Sequence, residues 1–318
     1  MKPRTLVIGA IVCCTLITMI FCEYLYTPAI KDQVKIGATY MTMNNSFYKA
    51  LNSEVEKSVN SHNDVLYTRD PALDPDKQAQ EIIDMMHLGI DVLIINPVDG
   101  NNKKINAAIQ TAKKAGIKVI VVDTQLQEKT KVDCTIVSDN YDAGVQCAKN
   151  LMATRKTATI LLLEHHSAMS GVMRIKGFLE TIKGHQAYRV VARANCLGQT
   201  ELAMPAVSKI IAKGITFDTV MALNDPAALG ALAAIEANKL SKKIYVYGVD
   251  GSPNMKKLLA DTHDVQATAS QSPITMGKDA ITMAYRLNKG QSVSSLVTIP
   301  VTLITQSNIS QYDVSGWQ

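Results

Sequence analysis

The chain has 318 residues, of which 47% are hydrophobic and 19% charged, and it carries a net charge of +5. That composition excludes a disordered chain, and a mild charge with no tract of Lys or Arg argues against a nucleic-acid partner. The length suits two domains of about 130 to 150 residues each.

The first 33 residues stand apart from the rest. Lys2 and Arg4 precede an uncharged apolar run over residues 5–22, which is followed by Glu23 and the cluster Tyr24, Leu25 and Tyr26. A basic flank, an apolar run and an interfacial aromatic cluster form the order of a segment that engages ~30 Å of hydrocarbon, with the flank cytoplasmic and the remainder exported. Three readings fit it: a retained membrane anchor, a lipoprotein signal ending at Cys22, and a cleaved signal peptide. The run exceeds a usual signal core, Phe21 stands where a lipoprotein signal has a small residue, and residues 27–29 make a poor cleavage site. Cys13, Cys14 and Cys22 belong to this run, which leaves Cys134, Cys147 and Cys196. Their spacing is not that of a zinc site, so free buried thiols are expected, with a Cys134–Cys147 bridge as the alternative.

Beyond residue 34, runs rich in Val and Ile alternate with helical patterns. Strands are expected over residues 35–41, 64–68, 91–99, 117–124, 134–139, 157–166, 188–195, 219–225, 243–251 and 265–271. Helices are expected over 76–88, 101–115, 143–154, 173–182, 201–212, 227–238 and 255–261. This alternation predicts an α/β fold of right-handed βαβ units, with doubly wound parallel sheets and helices on both faces. Ten strands predict two such sheets, and the lack of a low-complexity linker predicts several close chain crossings between them.

The strand ends carry the chemistry. Asn96, Asp123, Asn224 and Asp250 each end an apolar run, and Gln271 ends the last of them. In open α/β sheets a ligand lies beyond the carboxyl ends of the strands, where these amides and carboxylates would form a hydrogen-bonding ring for a polar, uncharged ligand. Asn and Asp also cap helices at such places, yet five at equivalent positions exceed what capping requires. The stretch NNSFYKAL, residues 44–51, adds Phe47 and Tyr48 at a loop rim between a strand and a helix.

With these residues the chain from about position 34 onward resembles the type I periplasmic sugar-binding proteins, the ribose-binding group in particular, whose fold is shared with ligand domains of the lactose-repressor family. The matching motifs are NNSFY (44–48), INP (95–97), VVDT (121–124), SDN (138–140), RIKGF (174–178), NDPAALGAL (224–232), YGVDG (247–251) and ATASQ (267–271). The resemblance implies two flavodoxin-like domains joined by three crossings and closing about a hinge. One comprises residues 34–136 with 272–299 and the other residues 137–271 with 300–318, behind the segment 1–33.

The resemblance also implies a role for individual residues. Asn45 would serve as a hydrogen-bonding amide, Phe47 and Tyr48 as stacking rings and Asp123 as an acceptor, with Arg174, Asn224, Asp250 and Gln271 contributed by the other domain. Asn96 and Thr124 complete the expected ligand-binding set. A pyranose suits such a site, because its weakly apolar face packs on a ring and its hydroxyls need fixed donors and acceptors. The chain departs from the family in two places: Thr124 follows Asp123 where Arg is common, and neither Leu197 nor Gly198 supplies a third aromatic ring.

Other chemistries find little in the sequence. His165 and His166 beside Glu164 suggest a metal site, but adjacent strand residues point to opposite faces, so a loop at the cleft rim is expected instead. Asp123 and Asp250 have the residue types of a glycosidase pair, whereas in the resembling family such carboxylates bind intact sugar. Neither a G-x-S-x-G elbow, a P-loop nor a G-x-G-x-x-G after the first strand occurs. A repressor would need a helix-turn-helix where the apolar run stands. The expectation is a receptor without enzyme activity, metal or cofactor: an extracytoplasmic solute-binding protein that closes over a small polar ligand, most simply a monosaccharide, for an ABC permease. The alternative is a membrane-tethered sugar sensor signalling to a histidine kinase.

Overall fold

A computed structural model describes residues 14–19, 33–126, 130–262 and 264–318. Within the apolar run, residues 14–19 are helical, while the rest of that run, including Cys13, Cys22 and the cleavage region, lies outside the described residues. Among the described residues no helix is long and apolar enough to cross a membrane.

From Lys35 onward the chain forms one compact unit containing two sheets. β1 (Lys35–Thr39), α1 (Ser46–Ser61), β2 (Val65–Arg69), α2 (Pro75–His87), β3 (Val92–Ile95), α3 (Lys103–Lys114), β4 (Lys118–Val122) and β5 (Cys134–Ser138) build the first lobe. α4 (Asn140–Thr154), β6 (Ala158–Glu164), α5 (Met169–Ile182), β7 (Tyr188–Asn195) and α6 (Thr200–Ala212) begin the second. β8 (Thr219–Ala222), α7 (Asp225–Ala237), β9 (Tyr245–Asp250), α8 (Pro253–Asp261) and β10 (Val265–Ser270) complete it. The chain then returns: α9 (Pro273–Asn288) packs on α1, β11 (Leu296–Ile299) joins β5, and β12 (Thr302–Thr305) joins β10.

The strand orders are β11-β5-β4-β3-β1-β2 and β12-β10-β9-β8-β6-β7. Every pairing is parallel except β10 with β12. In each sheet the order reverses beside the first strand, between β1 and β3 and between β6 and β8, which is where α/β sheets place ligands. The central strands are apolar throughout because helices cover both faces: Val92, Leu93, Ile94 and Ile95 of β3 are all buried. Helix starts follow capping chemistry, with side-chain oxygens of Asn45, Asp74, Asn102, Asp139, Asn224, Ser252 and Ser272 accepting backbone N–H groups.

The structure extends the expected element set in three places. α9 was hidden by its β-branched Ile274, Thr275, Ile281 and Thr282 and by Gly277, all weak helix formers. β11 and β12 are four residues each, too short for an alternating pattern to register. α5 begins at Met169, a turn before the expected start, because Ser170 and Gly171 dilute its first turn. Cys134, Cys147 and Cys196 are buried free thiols.

α4 and α5 approach unusually closely. A Cβ added at Gly144 would lie 1.8 Å from the Arg174 carbonyl oxygen, and one at Gly177 would lie 2.1 Å from that of Tyr141. This approach fixes α5, and with it Arg174, whose Nε donates to Asn140 Oδ1 at 2.8 Å.

Candidate functional site

The strand ends of the two sheets face one another across a nearly closed cavity of about 20 Å³, room for about one water molecule. Asn45, Phe47, Tyr48 and Asp123 line it from the first lobe, and Arg174, Asn224, Asp250 and Gln271 from the second. Two residues of the expected set are not on this lining. Asn96 is fully buried behind Asp123, where its Oδ1 accepts from Met41 N at 3.1 Å and its Nδ2 donates to Val122 O at 3.2 Å and Asp123 Oδ2 at 3.3 Å. Its role is to hold the strand end and orient the carboxylate. Thr124 shares a 2.5 Å hydrogen bond with Ser170 Oγ of the other lobe, so its hydroxyl is committed to a contact between the lobes.

Arg174 sits between the two carboxylates. Its Nη2 lies 3.6 Å from Asp123 Oδ1 of the opposite lobe, and its Nη1 lies 3.7 Å from Asp250 Oδ1. Nη1 also donates to Leu223 O at 3.0 Å. Burial pushes the Asp123 carboxyl above its ordinary range, against the pull of Arg174 and hydrogen bonds from Tyr48, Thr124 and Asn96. Asp250 is pushed up well above its ordinary range by burial and by the like charge of Asp225. The lobes therefore meet around buried charge, with Asn44 Nδ2 donating to Glu201 Oε1 at 3.0 Å as a further contact between them.

The amides at the helix starts do double duty. Asn45 Oδ1 accepts from Phe47 N at 2.9 Å, and Asn224 Oδ1 accepts from Ala227 N at 3.0 Å while its Nδ2 donates to Gly198 O. Capping and cavity lining thus fall on the same residues, because a strand end that opens a helix also faces the crevice.

Phe47 and Tyr48 stand in the first turn of α1, not at an open rim, and are only 2% and 5% exposed. They meet edge-on with centroids 5.6 Å apart, and the Tyr48 hydroxyl donates to Asp123 Oδ2 at 3.1 Å. Their burial follows from the closed lobes, which cover rings that the sequence places outside either core. Trp317, distant in sequence, backs Phe47 edge-on at 5.8 Å. Its segment is held by Lys256 Nζ, which donates to Asp313 O and, at 2.7 Å, to Gly316 O.

Three cavity residues adopt left-handed backbone: Asp123 (φ 61°), Leu197 (φ 50°) and Asp250 (φ 139°). Each such non-glycine conformation costs on the order of 1–3 kcal/mol and gathers at functional sites. No sequence signal marks them, since Asp is common in ordinary turns.

His165 lines the cavity but is absent from the expected set, as are the polar Ser170 and Gln199. It follows β6 and is buried, with Nε2 and Ser167 Oγ 3.1 Å apart. Burial, reinforced by the neighbouring His166, lowers its imidazole to about 4. Between that value and the ordinary ~6.5, the unfolded chain binds a proton that the folded chain does not, so this group makes stability fall as pH drops through the window, by up to about 3 kcal/mol. Asp225 works in the opposite sense: burial raises it to about 6, so the unfolded chain loses that proton first as pH rises. His165→Asn is therefore expected to gain stability on wild type as pH falls from 6.5 to 4. Urea titrations of both proteins check this, and a stability difference that does not change with pH contradicts it.

Comparison with known proteins agrees with this architecture. Residues 36–292 match the family model described as periplasmic binding protein domain. The ribose import binding protein of Bacillus subtilis is 29% identical over 280 residues, covering 87% of this chain and 88% of that protein. A putative rhizopine-binding protein of Rhizobium meliloti is 23% identical, covering 87% and 92% respectively. Among solved structures, an ABC transporter solute-binding protein of Mycobacterium smegmatis with bound glycerol superposes with a TM-score of 0.82 at 28% identity, covering 90% of this chain and 98% of that one. The chain belongs to the periplasmic binding protein family. Its two parallel-sheet α/β domains have the type I arrangement, and its relatives are sugar-binding proteins of ABC transporters.

Proposed function

We propose that the protein is the extracytoplasmic receptor of an ABC importer and closes over one small polyhydroxylated ligand, a monosaccharide or cyclitol. The carrying observation is Arg174, which lies between Asp123 of one lobe and Asp250 of the other. A ligand that replaces this charge contact with its own hydroxyls would favour the closed over the open population. Asn45, Tyr48, Asp123, Arg174, Asn224, Asp250 and Gln271 would bind its hydroxyls, and Phe47 would pack on a ring face.

The family is one of receptors, and the carboxylates here are engaged with Arg174 and amides, which supports binding without hydrolysis. The import roles of the relatives favour transport over the sensor alternative. Attachment through residues 5–22 rests on residue order alone; the mass of the chain isolated from membranes tests it, and an amino terminus beyond residue 29 removes the anchor. For the ligand, a thermal-shift screen over pentoses, hexoses, cyclitols and their amino derivatives is the direct test. A ligand at 100 times its Kd adds about 2.7 kcal/mol of stability. A raised Tm with at least one of these compounds is expected, and none with any of them overturns the reading.

A further inference from the structure

We infer that the preferred ligand carries a positive charge: a polyhydroxylated ring bearing an ammonium group, an amino sugar or amino cyclitol, in place of a neutral sugar. The inference rests on the cleft being a sugar site and concerns the charge of what fills it.

The first observation is an imbalance of charge. Among the described residues that line the cavity, Arg174 is the sole permanent cation, and it faces both Asp123 and Asp250. Its Nε is committed to Asn140 and its Nη1 to the Leu223 carbonyl. Thr124, beside Asp123, offers a hydroxyl but no charge, and His165 is neutral at pH 7. A third carboxylate, Asp225, lies fully buried close by, accepting from Ser252 N and Thr268 Oγ1 at 2.7 Å each. One guanidinium faces this set of carboxylates, and the like charge of Asp225 adds to the burial that raises Asp250. Outside the lining, exposed Glu201 accepts from Asn44, the neighbour of Asn45.

The second observation is independent of charge. Gln271 lines the cavity at 2% exposure, its Nε2 donates to Asp250 Oδ1 at 2.7 Å, and its Oε1 is a buried acceptor without any partner. An unsatisfied buried oxygen next to a carboxylate calls for a donor. An ammonium has three donors and no lone pair, whereas a hydroxyl has one donor and brings acceptors of its own. The same group would neutralise the carboxylates it meets, and the rings of Phe47 and Tyr48 accept a cation on their faces.

Calorimetric titration of the full chain with matched compounds tests this. The probes are D-glucose, D-galactose and myo-inositol, their mono-amino-deoxy derivatives, with the amine at C2, C3 or C6 for the hexoses, and the N-acetyl forms as neutral controls. At least one amine is expected to bind about 10-fold or more tightly than its hydroxyl parent, with N-acetylation removing the advantage. In Asp250→Asn, checked for folding by circular dichroism, the preference should shrink to less than about 3-fold. Neutral sugars binding as tightly as every amine would overturn the inference and leave the sugar-receptor reading intact. Binding by none of the compounds would overturn both.

Discussion

Arg174→Met is expected to remove ligand binding while the chain remains folded. Among the described residues the guanidinium is the only cation between Asp123 and Asp250, at 3.6 and 3.7 Å, and no described lysine lines the cavity to replace it. Removing one partner of a buried charge pair typically costs about 3–5 kcal/mol, because the remaining charge stays desolvated and unpaired. Here two carboxylates would be left, and one of them would bind a proton at neutral pH. Any ligand held jointly by Arg174 and these acids should lose affinity by a factor of ~100 or more. Titration with whichever compound gives the largest wild-type shift checks this, and a loss smaller than about 10-fold would show that Arg174 is a structural bridge only.

Gly177→Ala should, with Gly144→Ala, be among the most damaging small substitutions in this fold. Its new methyl would stand 2.1 Å from the Tyr141 carbonyl oxygen, and backbone cannot retreat as a flexible side chain can. Overpacking of this kind costs about 1–3 kcal/mol, and contacts this short belong at or beyond the upper end. The consequence reaches the site, because separating α4 from α5 also separates Asn140 from Arg174 Nε. Gly214→Ala is the control: that glycine, unlike Gly177, has positive φ (73°), but nothing lies within 4 Å of its added Cβ, so only a strain of about 1 kcal/mol is expected. Denaturant unfolding of both variants decides it. Equal effects would mean that α4 and α5 can slide apart without penalty.

Much of this architecture was legible because burial on both faces of parallel strands leaves a plain record: unbroken runs of Val and Ile, each ended by a polar residue. Asp123, Asn224 and Asp250 could be placed at strand ends for that reason, and they do line the cavity. Asn96 obeys the same local pattern and yet sits behind the carboxylate, since the pattern locates a strand end but does not say which way the side chain turns. Thr124 illustrates a different limit. Its partner, Ser170, belongs to the opposite lobe, so their bond depends on how the lobes close. Trp317 was illegible for the same reason, because it reaches Phe47 across 270 positions of sequence, counted from 47 to 317; His165 was placed at the cleft rim but not on the cavity lining. The left-handed backbones of Asp123, Leu197 and Asp250 are imposed by tertiary packing and leave no local trace.

The most direct measurement is a crystal structure of the full chain with the compound that raises its Tm most. The account predicts one ring between Phe47 and Tyr48 on one side and Asp250 and Gln271 on the other, with a ligand donor on the free Gln271 oxygen and Asp123 and Arg174 both in contact. A ligand bound outside this cleft, or a cleft still closed and empty beside it, would contradict the account.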